Sequence, residues 1–201
     1  MYGAGGRRTF PGVLSVEVEE PVSWLLGIAA LAFAWGGFSV LNPLFYITPS
    51  FIAILAGFVV HEMAHKMVAI RYGMKAGFVA FGPGILVTAL SGLIPGLVVL
   101  VPGYVRVWGF GGFGRGILYS VASGPASNIV LASASLLLLL TGLHPGFLKP
   151  YLHSILSINA YLAFFNLLPI PPLDGSKIVR EDLRLWAALM ILSVVLLIFP
   201  A

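Results

Sequence analysis

The sequence predicts an all-α membrane protein, a polytopic helical bundle of about five to six transmembrane helices. A re-entrant or short β-hairpin segment is expected between the second span and the next one. Three observations lead there. Charged residues make up 9% of the chain and hydrophobic residues 59%, against about 25% charged in a soluble domain. The apolar residues come in blocks near bilayer length rather than in strand-like alternation. The positive charges also sort to one side when five blocks are threaded through a membrane.

Residues 1–21 form an N-terminal segment on the cytoplasmic side. Arg7 and Arg8 could open a signal peptide, but Glu17, Glu19 and Glu20 occupy VLSVEVEEPV, where its apolar core should lie. The first span is therefore expected to stay uncleaved, and that stretch suits a short strand or surface segment. Residues 22–41 are the first span and stop before Asn42 and Pro43. Residues 51–72 are the second, apolar except around HEMAHK. The later spans are 117–141, 151–168 and 184–199.

The block 84–101 is interrupted by Gly92, Pro95 and Gly96. If it does not cross, Arg7, Arg8, Lys66, Arg71, Lys75, Arg106, Arg115, Lys177, Arg180 and Arg184 share one side. Lys149 then stands alone on the other. The positive-inside rule makes the basic side cytoplasmic, most simply in a cell membrane. The block is accordingly expected to be re-entrant or partly extended, and LVVLVPGYVRVW, 97–108, suits a short strand or hairpin. No linker or second domain is visible, so residues 1–201 read as one membrane-embedded unit with its core at 50–180. Cysteine is absent, which excludes disulfides and thiolate metal sites. The net charge of +4 is scattered rather than clustered, so no nucleic-acid partner is implied.

Inside the second span, HEMAH is an H-E-x-x-H motif. On a helix His61 and His65 project from one face, and one zinc ion can take a nitrogen from each. Glu62 can act as general base toward water and then deliver the proton to a leaving amine. The competing reading is a polar bundle contact or a proton relay. The metal site is preferred because ionisable groups at this depth are costly, about 2.5–3.5 kcal/mol for a charge even on the lenient insertion scale. His61 lies ten residues after Phe51, about 15 Å along a helix, which puts the site near mid-membrane.

A catalytic zinc usually has three protein ligands plus water. Glu17, Glu19, Glu20, Glu181 and Asp182 are peripheral, and Glu62 is needed for proton transfer. Asp174 remains, in NLLPIPPLDG. Pro169, Pro171 and Pro172 must break the helix before it, and Gly175 permits a sharp turn after it. Alone, Asp-Gly is an ordinary turn signal; beside HEMAH, ligation is the better reading.

HEMAH, SGPASN at 123–128 and NLLPIPPLDG occur here in the order found in the site-2 protease family of intramembrane zinc metalloproteases, which the chain resembles over about residues 50–180. The resemblance implies one zinc ion held by His61, His65 and Asp174, with Glu62 catalytic. It implies cleavage of a membrane-spanning protein substrate in the lipid bilayer. It links Asn166 to substrate or transition-state contact, with Asn128 in the other segment as the second candidate for an oxyanion donor. Plain helix–helix hydrogen bonding accounts equally well for both asparagines. It also places 97–108 at an edge near the substrate groove. A catalytically inactive chaperone or receptor of the same fold is the alternative function, and an ion-coupled transporter is the third. The sequence implies no oligomeric state. His144 reads as a surface residue and His153 as interfacial. Lys66 and Arg71 are expected to snorkel toward headgroups.

Overall fold

Thr48 and Pro49 start the helix that carries HEMAH. The Thr48 hydroxyl accepts from the Phe51 amide at 3.3 Å, and Pro49 occupies the first turn, where its missing N–H costs nothing. The resulting α2, Pro49–Arg71, runs for 23 residues. The computed structural model describes residues 19–94, 98–108 and 115–198. Arg7, Arg8, Glu17 and most of the expected strand or surface segment at 13–22 lie outside the described residues.

Before α2 comes α1, Glu20–Gly36, continued by short 3-10 turns at Gly37–Leu41 and Pro43–Ile47. After it come β1, Lys75–Ala80, then α3, Gly82–Ser91, and β2, Gly103–Trp108. The long α4 spans Arg115–Thr141, α5 spans Lys149–Asn166, and α6 and α7 cover Asp174–Glu181 and Leu183–Ile198. The described chain is mostly helical. Among the described residues, three stretches are long and apolar enough to cross a membrane: Glu20–Leu41, Pro49–Arg71 and Arg115–Thr141. The expected spans at 151–168 and 184–199 correspond to α5 and α7, of 18 and 16 residues. Neither meets the same measure, because α5 carries His153, Ser154, Ser157, Asn159 and Asn166 and α7 is short.

The block expected at 84–101 divides. Its first part is α3, whose ten residues reach about 15 Å, half of the roughly 30 Å hydrocarbon layer. Residues 98–102 then return without regular structure. Their amides are met by α3 side chains: Val99 N donates to Ser91 Oγ at 2.9 Å and Val101 N to Thr88 Oγ1 at 3.1 Å. Irregular backbone in an apolar surrounding is tolerated when its polar groups are satisfied this way.

Of the short strand or hairpin expected within 97–108, the strand forms as β2, and its partner is not local. β2 pairs antiparallel with β1, from Lys75 opposite Trp108 to Ala80 opposite Gly103. The β1 sequence KAGFVA carries little strand signal because lysine, alanine and glycine are poor strand formers; its pairing comes from tertiary contact.

α2 packs against both α4 and α5, which also pack on each other; α1 and the sheet lie against another side of α2, and α3 packs on α1. Small residues let the central helices approach: Ala132, Ala160 and Ala163 are fully buried. Phe58, Phe78, Ile54 and Leu31 fill the other core, and Trp24 stacks on Phe78 at 4.4 Å. Lys66 does not snorkel. Its Nζ is 2.6 Å from Glu20 Oε1, an oxygen that also accepts from Phe78 N and Trp24 Nε1, each at 3.2 Å. One carboxylate at the start of α1 thus ties together α1, α2 and β1. A partner was within reach, so the ammonium had no need of the headgroups.

Candidate metal centre

The helix period puts His61 and His65 on one face of α2, and both rings are buried. Each ring is held through Nδ1. His61 Nδ1–H donates to Asn128 Oδ1 at 2.6 Å, and His65 Nδ1–H donates to the Ser120 carbonyl at 2.7 Å. A carbonyl can only accept, which fixes the His65 tautomer. For His61 the same follows from the amide of Asn128. Its two hydrogens go to Gly57 O at 3.1 Å and Asn159 Oδ1 at 2.9 Å, so its oxygen must face the ring. In the neutral ring this leaves each Nε2 with a lone pair.

Those lone pairs converge on one oxygen. Asp174 Oδ2 stands 3.2 Å from His61 Nε2 and 3.1 Å from His65 Nε2. The ligand atoms of the three residues lie within 4.8 Å of one another. With both rings neutral, three acceptors meet in a buried place and can hold a cation between them. The donor set, two imidazoles and a carboxylate, is that of a catalytic zinc site with an open position. The second interaction of each ring is the outer support that such histidines normally have.

Asp174 arrives from a separate part of the chain. α5 stops at Asn166, the proline-rich 167–173 stretch leaves the helical path, and Asp174 opens α6. Trp186 Nε1 holds the Leu167 carbonyl at 2.7 Å. Gly175 sits against Leu167 O, where a Cβ would overlap it. On the outer side of Asp174, Lys177 Nζ lies 3.6 Å from Oδ1.

His61, Glu62, His65 and Asp174 border a cavity of about 520 Å³, together with Asn166 and β2 residues. Glu62 is buried, and its Oε2 has no hydrogen-bond partner among the described residues. Asn166 borders the cavity while its Nδ2 donates back to Leu162 O at 3.0 Å. Asn128 does not border it. It is fully buried behind His61, with its oxygen and both amide hydrogens engaged, so it has no group to offer a substrate.

Sequence reasoning missed three contributors. Ser120 acts through its main chain, which leaves no side-chain signal. Asn159 looked like any polar residue in a span. Gly124, in SGPASN, packs against the site itself, a role that a glycine in an apolar span does not signal. A Cβ there would lie 2.6 Å from His61 Nε2 and closer still to the His65 ring.

Comparison with known proteins agrees with this geometry. The sequence profile of peptidase family M50 matches residues 143–190, which include the break before Asp174. A proposed zinc metalloprotease of Methanocaldococcus jannaschii is 32% identical over 178 residues, covering 84% of this chain and 87% of that protein. The proposed zinc metalloprotease Rip2 of Mycobacterium tuberculosis is 34% identical, covering 80% and 69%. A third, YwhC of Bacillus subtilis, also a proposed zinc metalloprotease, is 31% identical over 65% and 67%. No solved structure matches the chain. An H-E-x-x-H helix, a distant aspartate on the same centre and relatives of near full-length coverage leave one assignment: the chain belongs to peptidase family M50, the site-2 protease family of zinc metalloproteases.

Proposed function

We propose that this zinc metalloendopeptidase hydrolyses a peptide bond in or near a transmembrane helix of a membrane-protein substrate, within the bilayer. The observation that carries the reading is the convergence of His61, His65 and Asp174 partway along an apolar helix of membrane-spanning length. These three residues would hold a single zinc ion. When bound, zinc supplies a Lewis acid that polarises a carbonyl and acidifies water.

The chain's own residues do the rest. Glu62 borders the cavity and takes a proton from the attacking water at its carboxylate. It then passes that proton to the departing amine as the C–N bond breaks. The Asn166 amide borders the cavity and would donate to the developing oxyanion once it turns from Leu162 O. Asn128 is reassigned from substrate contact to orientation of His61. An inactive chaperone or receptor of the same fold would have no use for a buried, unpaired base beside the metal residues.

A helical span hides its amides in its own hydrogen bonds, so the substrate must unwind before attack. β1 takes one edge of β2, and β2 residues Gly103, Tyr104, Val105 and Val107 border the cavity. The remaining edge of β2 is the partner for the unwound peptide by strand addition. The enzyme is multi-pass, with α5 and α7 as further spans and the basic loops facing the cytoplasm of a cell-membrane topology. The test is cleavage of a transmembrane peptide by the purified chain in liposomes, with and without a chelator. Cleavage that persists in full after metal removal sinks the proposal.

A further inference from the structure

Behind His61, away from the cavity, a chain of amides crosses three helices. Asn159 on α5 is fully buried and donates its Nδ2 to Ile155 O at 2.9 Å, in its own helix. That bond turns Asn159 Oδ1 outward, where it accepts from Asn128 Nδ2 at 2.9 Å. Asn128, on α4, gives its other hydrogen to Gly57 O at 3.1 Å and its oxygen to His61 Nδ1–H at 2.6 Å. Gly57 lies one turn before His61 on α2. A Cβ at Gly57 would come within 2.7 Å of Asn159 Oδ1, so the glycine makes the notch that admits the Asn159 head.

Each link in this chain has a direction. The Ile155 carbonyl accepts only, so the Asn159 amide cannot flip without a repulsive contact. Asn159 Oδ1 then accepts only, as does Gly57 O, and together they demand both Asn128 hydrogens. The Asn128 oxygen is left for His61. The ring must carry a proton on Nδ1, so in its neutral, ligating form it presents a lone pair on Nε2, toward Asp174 and His65. Outer partners of metal-ligating histidines set ring orientation and tautomer in this manner.

We infer that Asn159 is a positioning residue for the metal centre, acting through Asn128 to fix the tautomer and orientation of His61. This rests on the assignment of His61, His65 and Asp174 as metal ligands. Asn159 touches neither metal nor substrate. Its effect is on how well the site holds the ion.

The test measures metal affinity without any substrate. The full chain, purified in detergent and stripped of metal, is titrated with Zn2+ against a chromophoric chelator and with Co2+ by its visible absorption. Asn159→Leu is expected to weaken zinc binding by about 10–100-fold and to shift the cobalt bands, with the helical circular dichroism unchanged. The milder Asn159→Ala should lose affinity in the same direction, and serves if the leucine variant does not fold. In an Asn128→Ala background, adding either change should cost no more than roughly twofold, because the route to His61 is already cut. Zinc affinity within twofold of wild type in both Asn159 variants overturns the inference. So does a loss that adds in full to that of Asn128→Ala, which would mark Asn159 as a packing residue only. A wild-type chain that takes up no zinc overturns the metal-ligand assignment itself and this inference with it.

Discussion

Gly124 brings the backbone of α4 against the Nε2 edge of His65, so close that a methyl group in its place would overlap the ring. The same methyl would stand 2.6 Å from His61 Nε2. Both nitrogens face Asp174, so the added carbon would intrude where the ion must sit. Gly124→Ala is therefore expected to lower bound zinc to well under half of wild type while the protein remains helical. Metal content by atomic spectroscopy after gel filtration checks this. Full occupancy in the variant would remove glycine from the account of the site.

Glu62→Gln should separate chemistry from metal binding. The substitution keeps the shape of the side chain and removes its capacity to accept a proton. Cleavage should fall by about 10²–10⁴-fold, the range for a positioned general base, with zinc content unchanged. A variant that cleaves at a tenth of the wild-type rate or better would assign the base elsewhere.

Asp174→Ala acts on the other function. It removes the oxygen that both Nε2 atoms share, at 3.2 and 3.1 Å. Two neutral imidazoles should then bind zinc too weakly to survive gel filtration, and cleavage should vanish with the metal. Zinc retained at full stoichiometry would place the third ligand on another residue.

The cavity-side edge of β2 should touch substrate. A photoreactive residue at Tyr104 or Val107 is expected to crosslink a bound transmembrane peptide in the Glu62→Gln background. The same probe at Phe38, exposed beyond the end of α1, should not. Crosslinks at Phe38 alone would point to another docking face.

The Glu20–Lys66 pair should contribute to stability. Lys66→Met removes a charged donor 2.6 Å from Glu20 Oε1 and leaves that carboxylate with two neutral donors. A loss of about 1.5–3 kcal/mol is expected, as for a hydrogen bond to a charged group. The thermal midpoint in detergent should fall accordingly, and one that does not move would reduce the contact to an incidental one.

Several of these relationships were legible before the fold was known. The i, i+4 spacing of His61 and His65 carries its own geometry, because the helix period alone puts both rings on one face. Asp174 could be picked out because few acidic residues are present and the prolines before it must break the chain. The interruptions in the block at 84–101 were legible as Gly92, Pro95 and Gly96, and α3 ends just before the first of them. The role of Asn128 was not legible. An asparagine in a motif reads the same whether it faces substrate or the back of a histidine. The pairing of β1 with β2 was equally hidden, since α3 separates the strands and KAGFVA has little strand character of its own.

The sequence by itself determined the medium, the donor types and the local spacing of the two histidines, all of which depend on composition or on one helix turn. Tertiary structure alone decided that Asp174 meets both rings, that Gly124 leaves them room, and that Asn128 and Asn159 stand behind His61. Those facts depend on how α2, α4, α5 and α6 pack. Contacts between residues dozens to more than a hundred positions apart are set by helix packing, which no local pattern encodes.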